Sequence, residues 1–581
     1  MGTLVRRARR SGMCHDSRMR SDTSPSPVPT PTPTDAGWYR DAVIYQVYIR
    51  SFRDSDGDGI GDIGGIRERL PYLRELGVDA LWINPWYPSP QADAGYDVSD
   101  YRAIEPMFGT MDQARAMLDE AHELGLRVIL DIVPNHTSDQ HVWFQAALAS
   151  EPGSVERARY HFRPGRGDDG SLPPNDWRSV FGGPAWTREP GPAGEWFLHL
   201  FASEQPDLNW DNPEVRGEFE DIVRMWFDLG VDGFRIDVAH GMLKDPEFPD
   251  LGLAEEQLLA PPATSNHPHW DRDGIHEIYR AWRRIADSYD DPRVFVAEAW
   301  VESSERLGEY LRPDELHTAF NFEFLRATWN PSEMRTIIDE SLAGADAVDA
   351  PATWVLSNHD VVRHVSRYAR AEQDRPLNAA EMLVGTSAPD LTMGTDRARA
   401  AALLMMALPG SVYVYQGDEL GLPEVEDLPA DVKQDPVFHR TSGEIPGRDG
   451  CRVPMPWNAA KPGYGFSLTE GDDPWLPQPA AWAQLAADAQ AEDPASTLQL
   501  YRTALRIRRD RSDLGARSDL RWLEAVDRGS TLAFRRGERF ACVVNTADTP
   551  IELPEGTVLL SSAPLDGDRL PGNAAAWIEL P

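Results

Sequence analysis

From Trp38 onward, short apolar runs and amphipathic runs alternate along the chain. "AVIYQVYI", "DALWINP" and "RVILDIVPN" are mostly apolar, without polar alternation, which is the pattern of strands buried on both faces. Between them, "IRERLPYLRELG" (with a Pro near its middle) and "MDQARAMLDEAHELG" carry apolar residues at helical spacing. After a gap the alternation resumes. "VRGEFEDIVRMWFDLG" precedes "VDGFRIDVA", "GIHEIYRAWRRIADSY" precedes "RVFVAEAW", and "TWVLSNHD", "RARAAALLMMALPG" and "SVYVYQGDE" continue it. About eight β/α units predict an α/β fold of the (β/α)8 TIM-barrel type. A doubly wound sheet is disfavoured, because no GxGxxG follows the first strand.

Two stretches break the rhythm and set the expected boundaries. Residues 134–212 hold no clear β/α unit but many Pro, Gly, Trp and Asp, so an inserted subdomain is expected after strand 3. After "TLQLYRTALRIRRDRSDL" the runs "STLAFRR", "RFACVVN", "IELPE" and "TVLLSS" predict a C-terminal antiparallel β domain, sandwich-like, over 515–581. The barrel then comprises 38–133 and 213–514. Residues 1–37 contain "SDTSPSPVPTPTPTD", which cannot bury a core and predicts a disordered tail.

Composition narrows the partners. The formal net charge is -37, from 57 basic and 94 acidic residues. That argues against nucleic acid and anionic membranes, and leaves a neutral or cationic small molecule as the expected partner. Three cysteines at long spacing (Cys14, Cys451 and Cys542) form neither a disulfide framework nor a zinc site. They suit a reducing compartment. "RRARRSG" near the N-terminus lacks a following apolar stretch, so no export signal is complete and a cytoplasmic location is expected.

The segment "DSDGDGIGD", Asp54–Asp62, opens like an EF-hand loop. Its twelfth position, however, is Gly65 instead of a bidentate Glu, and a strand-like run precedes it. An oxygen-rich metal loop and a solvated acidic turn both remain open at this point.

Barrel enzymes place their chemistry at the C-terminal ends of strands. The third strand ends with Asp131 and His136 in "DIVPNH", and the fourth with Arg235 and Asp237 in "GFRIDVAH". The fifth ends with Glu298 in "VAEAW", and the seventh with His359 and Asp360 in "LSNHD". Each alone could be a structural ion pair or a helix cap. Together they are expensive to bury without a task. Arg235 and Asp237 are two apart and share a face, so the guanidinium should hold Asp237 ionised as a nucleophile. Glu298 beside Trp300 should be partly desolvated, as a general acid needs. Paired carboxylates of this kind are the equipment of glycoside hydrolysis.

These four ordered motifs resemble the signature regions of the α-amylase family of glycoside hydrolases. "QPDLNW" resembles a fifth region of its α-glucosidase and oligo-1,6-glucosidase branch, and "DAGYDVSDY", "PNDWRSVFGGPAW", "YQGDELGLP" and "GRDGCRVPMPW" are similar to that branch. The resemblance implies Asp237 as nucleophile, Glu298 as acid/base and Asp360 as the third carboxylate. It implies that Arg235 steadies the nucleophile, that His136 and His359 bond the terminal glucose, and that Tyr96 underlies it. Asp93 and Arg452 are implied as a pair that grips the non-reducing end and closes the pocket. It also implies a structural Ca2+ held by Asp54, Asp56, Asp58, the Ile60 carbonyl and Asp62. The expected activity is a retaining, exo-acting α-glucosidase. Val238 alone leans toward α-1,6 substrates, whereas "DVAHGMLKD" looks more like enzymes of maltose-type α-1,4 substrates. An oligo-1,6-glucosidase, a sucrose isomerase or trehalose synthase, and a non-catalytic homologue are the alternatives. Retention of all three carboxylates disfavours the last.

Overall fold

The computed structural model describes residues 37–190, 194–252, 267–370, 387–467, 473–516, 519–524 and 529–581. The tail expected over 1–37 lies, except for Gly37, outside the described residues, as does Cys14.

Eight parallel strands form the barrel: β1 (Val43–Val47), β2 (Ala80–Ile83), β3 (Arg127–Ile132), β4 (Gly233–Ile236), β5 (Val294–Ala297), β6 (Thr318–Ala319), β7 (Thr353–Val355) and β8 (Ser411–Tyr415). Neighbours pair in order from β7 through β8, β1, β2, β3, β4 and β5 to β6. At the β6–β7 seam the Thr353 hydroxyl donates to the Ala319 carbonyl. β6 is the strand that periodicity missed, because two residues carry no pattern.

Period-two alternation divides six of the eight strands between two cores. Ile44, Trp82, Ile129, Val296, Val355 and Tyr413 fill the barrel interior. Val43, Tyr45, Leu81, Leu130, Phe295 and Val414 pack outward against the helices. The expected helices form with their caps. Thr110 and Gln113 make a capping box on Met111–Glu123, and Asn212 caps Pro213–Asp228 ahead of the apolar pattern. Pro71 sits inside Ile63–Leu76.

The stretch after β3 folds as a small subdomain. It has a helix, Val142–Ala149, and a three-stranded antiparallel sheet of Phe162–Arg163, Trp196–Leu198 and Trp186–Arg188. Trp177, Trp186 and Leu198 pack there against Phe248, which belongs to the loop after β4. At the C-terminus, a five-stranded antiparallel sheet runs Arg521–Trp522, Thr531–Arg536, Phe540–Asn545, Ala574–Glu579, Thr557–Ser561. Trp577 is buried, and its indole N–H donates to the Leu403 carbonyl of helix Leu391–Ala407 at 3.0 Å, which docks this sheet on the barrel. Among the described residues no helix is long and apolar enough to cross a membrane.

Just past β8, the Glu419 carboxyl accepts bonds from the Tyr45 and Tyr72 hydroxyls, both at 2.9 Å, and from the Gly417 N–H. It thereby ties β8 to β1 and the first barrel helix. Burial pushes its pKa up to about 7 against those bonds. A raised carboxyl pKa stabilises the fold fully below the unfolded value, and that stability is lost as pH rises through the folded one. Wild type should therefore lose up to about 3 kcal/mol relative to Glu419→Gln between pH 4.5 and pH 8. Denaturant unfolding of both proteins across that range checks it, and a constant difference would exclude it.

Candidate active site

The inward positions at the strand ends converge on one guanidinium. Arg235 Nη1 is 2.7 Å from both Asp131 Oδ1 and Asp237 Oδ1, and Nη2 is 2.6 Å from Glu298 Oε2. Register explains the meeting: Asp131 lies beside Arg235 across the β3–β4 ladder, and Glu298 directly follows β5. Val238 then takes a left-handed φ of 47°, which is costly for a β-branched residue. Its N–H meets Glu298 Oε2 at 3.0 Å.

One cation thus serves three carboxylates. Burial pushes the Asp237 pKa well up, Glu298 and Asp131 add to that, and Arg235 opposes without prevailing. Asp131 is likewise pushed up to about 6 by burial against Arg235. Asp131 and Asp237 share that guanidinium, so the proton affinity of each depends on the other.

Asp360 sits under the opposite influence. Burial raises its pKa, but His359, Arg448 and Arg452 outweigh burial and hold it well below the usual carboxylate range. Arg448 Nη1 and Arg452 Nη2 lie 3.1 and 3.0 Å from Asp360 Oδ1, and His359 Nε2 is 3.2 Å from Oδ2. Between the two centres runs a polar chain. Gln46 Nε2 is 2.7 Å from His359 Nδ1, His359 Nε2 is 2.7 Å from the Tyr96 hydroxyl, and that hydroxyl donates to Asp131 Oδ2 at 2.9 Å. The Tyr96 ring stacks on His359 at 5.3 Å and 9°. His136 is buried, with Nε2 3.1 Å from the Tyr96 carbonyl.

Asp93 also joins the site, with a different partner from the one expected. Arg448 Nη2 lies 2.7 Å from Asp93 Oδ1. Arg452 sits beneath, 1% exposed, donating from Nε to the His359 carbonyl at 2.9 Å. The 3-10 turn Asp449–Arg452 separates the two arginines and sends them in different directions. Spacing within "GRDGCR" could not say which one turns inward. Asp435 was also missed. It is buried and contacts both Arg448 and Arg452. From the inserted subdomain, Phe201 packs on His136 at 5.1 Å and Phe181 lies beneath the Arg448 guanidinium at 5.1 Å. At the end of β5, Trp300 stacks on Phe322 at 3.8 Å.

The acidic loop after β1 is tightly built. Asp54 Oδ1 accepts from Gly57 N at 2.6 Å, and Oδ2 accepts from Gly59 N and the Ser467 hydroxyl. Ligand oxygens of Asp54, Asp56 and Asp58 all lie within 4.8 Å of one another. Among the described residues no basic side chain forms an ion pair with Asp54, Asp56, Asp58 or Asp62, so the donor set fits a hard cation. Ile60 donates its N–H to Asp58 Oδ1. Asp62 is spent otherwise: it caps helix Ile63–Leu76 through Gly65 N and also accepts from Ser55 N. A Cβ on Gly65 would lie 1.9 Å from the Arg53 carbonyl, which is why no Glu can stand there and no EF-hand can form.

A (β/α)8 barrel with carboxylates on the ends of its fourth, fifth and seventh strands, and an inserted subdomain over the mouth, defines a carbohydrate-active hydrolase. Residues 46–515 match the alpha amylase catalytic domain, and the chain belongs to the α-amylase family of glycoside hydrolases. It is 38% identical over 532 residues to a probable alpha-glucosidase of Rhizobium meliloti (strain 1021), covering 88% of this chain and 90% of that protein. It is 35% identical over 505 residues to an oligo-1,6-glucosidase of Parageobacillus thermoglucosidasius, covering 81% and 84%. Among solved structures, an alpha-glucosyl transfer enzyme superposes with a TM-score of 0.80 at 34% identity, covering 93% of this chain and 99% of that one. The trehalulose synthase MutB from Pseudomonas mesoacidophila MX-45 superposes with a TM-score of 0.78 at 30% identity, also over 93% and 99%.

Proposed function

We propose that the protein is a retaining, exo-acting α-glucosidase that releases terminal glucose from maltose-type α-1,4 oligosaccharides, within the cytoplasm. The observation that carries this reading is the Arg235 fork, which holds Asp237 and Glu298 on adjacent nitrogens opposite an ionised Asp360. One fork favours the separation of about 5–5.5 Å used for double displacement over the wider spacing of inverting enzymes. Asp237, as the carboxylate, attacks the anomeric carbon while Glu298, as the acid, delivers a proton to the glycosidic oxygen. Glu298 then takes a proton from the water that releases glucose. Asp360 binds the sugar hydroxyls and stabilises positive charge on the ring at the transition state. The Asp93–Arg448 pair closes the far end of the pocket, which supports exo action.

Incubation with maltose, isomaltose, sucrose and trehalose, with products followed by NMR, tests the reading. Maltose should be the best substrate and α-glucose the first product, and Asp237→Asn should cut turnover by several orders of magnitude. Initial β-glucose would overturn the retaining mechanism. Conversion of sucrose to an isomeric disaccharide without glucose release would move the protein to the transferring branch.

The pocket closure has its own test. Arg448→Ala leaves Asp93 buried without its ion-pair partner, which should cost about 2–5 kcal/mol in kcat/KM for maltose. Unchanged maltose kinetics would take the Asp93–Arg448 pair off the terminal sugar.

The same reading extends to the loop after β1. We infer that Asp54, Asp56 and Asp58 hold a structural Ca2+, aided by the Ile60 carbonyl, with Asp62 bracing the loop. Chelator should lower the melting temperature, added Ca2+ should restore it by mass action, and Asp58→Ala should abolish the response. A melting curve indifferent to chelator would leave only an acidic turn.

A further inference from the structure

Lysine occurs only at 244, 433 and 461, and Lys244 is wholly buried. Its ammonium lies 2.8 Å from the equally buried Asp207 carboxylate. It also donates to the Gly241 carbonyl and, at 2.9 Å, to Asn135 Oδ1. Three separate segments meet here: the loop after β3 brings Asn135, the inserted subdomain Asp207, and the loop after β4 Lys244. A buried ion pair is a weak source of net stability but a strong constraint on its neighbours.

That constraint falls on an amide. An ammonium only donates and a carboxylate only accepts, so Asn135 can face them in one orientation. Oδ1 points to Lys244, and Nδ2 lies 3.2 Å from Asp207 Oδ2 and 3.2 Å from His136 Nδ1. An amide nitrogen donates, so His136 Nδ1 must accept. Burial lowers the His136 pKa to about 4, with Asp207 opposing and Lys244 adding to the fall, so at neutral pH the ring carries one proton. That proton sits on Nε2, 3.1 Å from the Tyr96 carbonyl. The other tautomer also has a partner in place, because Gln205 Nε2 lies 3.0 Å from His136 Nε2 and could donate to it. The selection is therefore made from the Asn135 side.

We infer that Lys244 is a positioning residue that, by orienting the Asn135 amide, fixes His136 in the Nε2–H tautomer, whose proton meets the Tyr96 carbonyl and so holds in place the ring that contacts the terminal sugar. The sugar contact rests on the proposed α-glucosidase reading, whereas the tautomer does not.

Two readouts separate these levels: 15N-histidine NMR, with His136 assigned by its loss in His136→Gln, and the split between KM and kcat on maltose. Wild type and Asp207→Asn, which keep Lys244 on Asn135 Oδ1, should show His136 as Nε2–H. The double variant Lys244→Met with Asp207→Asn removes both constraints without leaving a buried charge unpaired. It should show Nδ1–H, with KM raised about three- to tenfold, the worth of one hydrogen bond, and a smaller change in kcat. Should that protein not fold, the swap Asn135→Asp with Asp207→Asn keeps the Lys244 contact and the buried charge but turns a carboxylate oxygen to His136 Nδ1, and should place a proton there. Retention of an unprotonated Nδ1 in either double variant overturns the inference. A tautomer switch in a protein that cleaves no α-glucoside supports the Lys244 role and counts against the proposed activity instead.

Discussion

One guanidinium divided among three carboxylates is the constraint around which the barrel mouth is organised. Arg235 cannot leave, since Asp131 and Asp237 would remain buried, and Glu298 half-buried, without a cation. One positive charge faces three carboxylates, and burial pushes Asp237 and Asp131 up against it. The surrounding polar groups are satisfied from directions that hold the trio still. Trp82 and Tyr96 donate to Asp131, and the Val238 N–H donates to Glu298. Such preorganised dipoles cost no reorganisation when charge moves.

Asp360 illustrates the converse balance. Arg448 and Arg452 crowd it and Asp435, and there the cations prevail. The two halves of the site therefore push Asp237 and Asp360 in opposite directions, although both are built from Asp and Arg. What separates them is the ratio of cations to carboxylates within hydrogen-bond reach. The loops deliver that ratio: "GRDGCR" supplies two arginines to one side, and β4 supplies a single arginine to the other.

The inserted subdomain and the loop after β4 act as one wall. Phe248 packs into the subdomain core, Asp207 pairs with Lys244, and Phe201 covers His136. A long excursion from the barrel is tolerable because its apolar residues find partners on the neighbouring loop, and its buried charges find each other. The strain at Val238 is held in the same way, by bonds from its own N–H and from Ala239 N to the Glu298 segment.

Much of this architecture was legible in the chain itself. Apolar runs of strand length separated by helical periods specify a parallel barrel, because only strands covered on both faces lack polar alternation. Asp237, Glu298 and Asp360 could be placed at strand ends, since the period of two and the ends of the apolar runs are local properties. β6 could not be read, being two residues long and defined by its neighbours. Nor could the choice of Arg448 over Arg452 as partner of Asp93, because it depends on which way a 3-10 turn faces a loop more than three hundred residues earlier. The sharing of Arg235 was hidden for the same reason. Sequence placed one arginine two residues away, but only the closed barrel brought Asp131 and Glu298 to the same guanidinium. Pattern and residue type are local and survive in one dimension, whereas the sharing of charge is a property of distances that exist only once the strands have met.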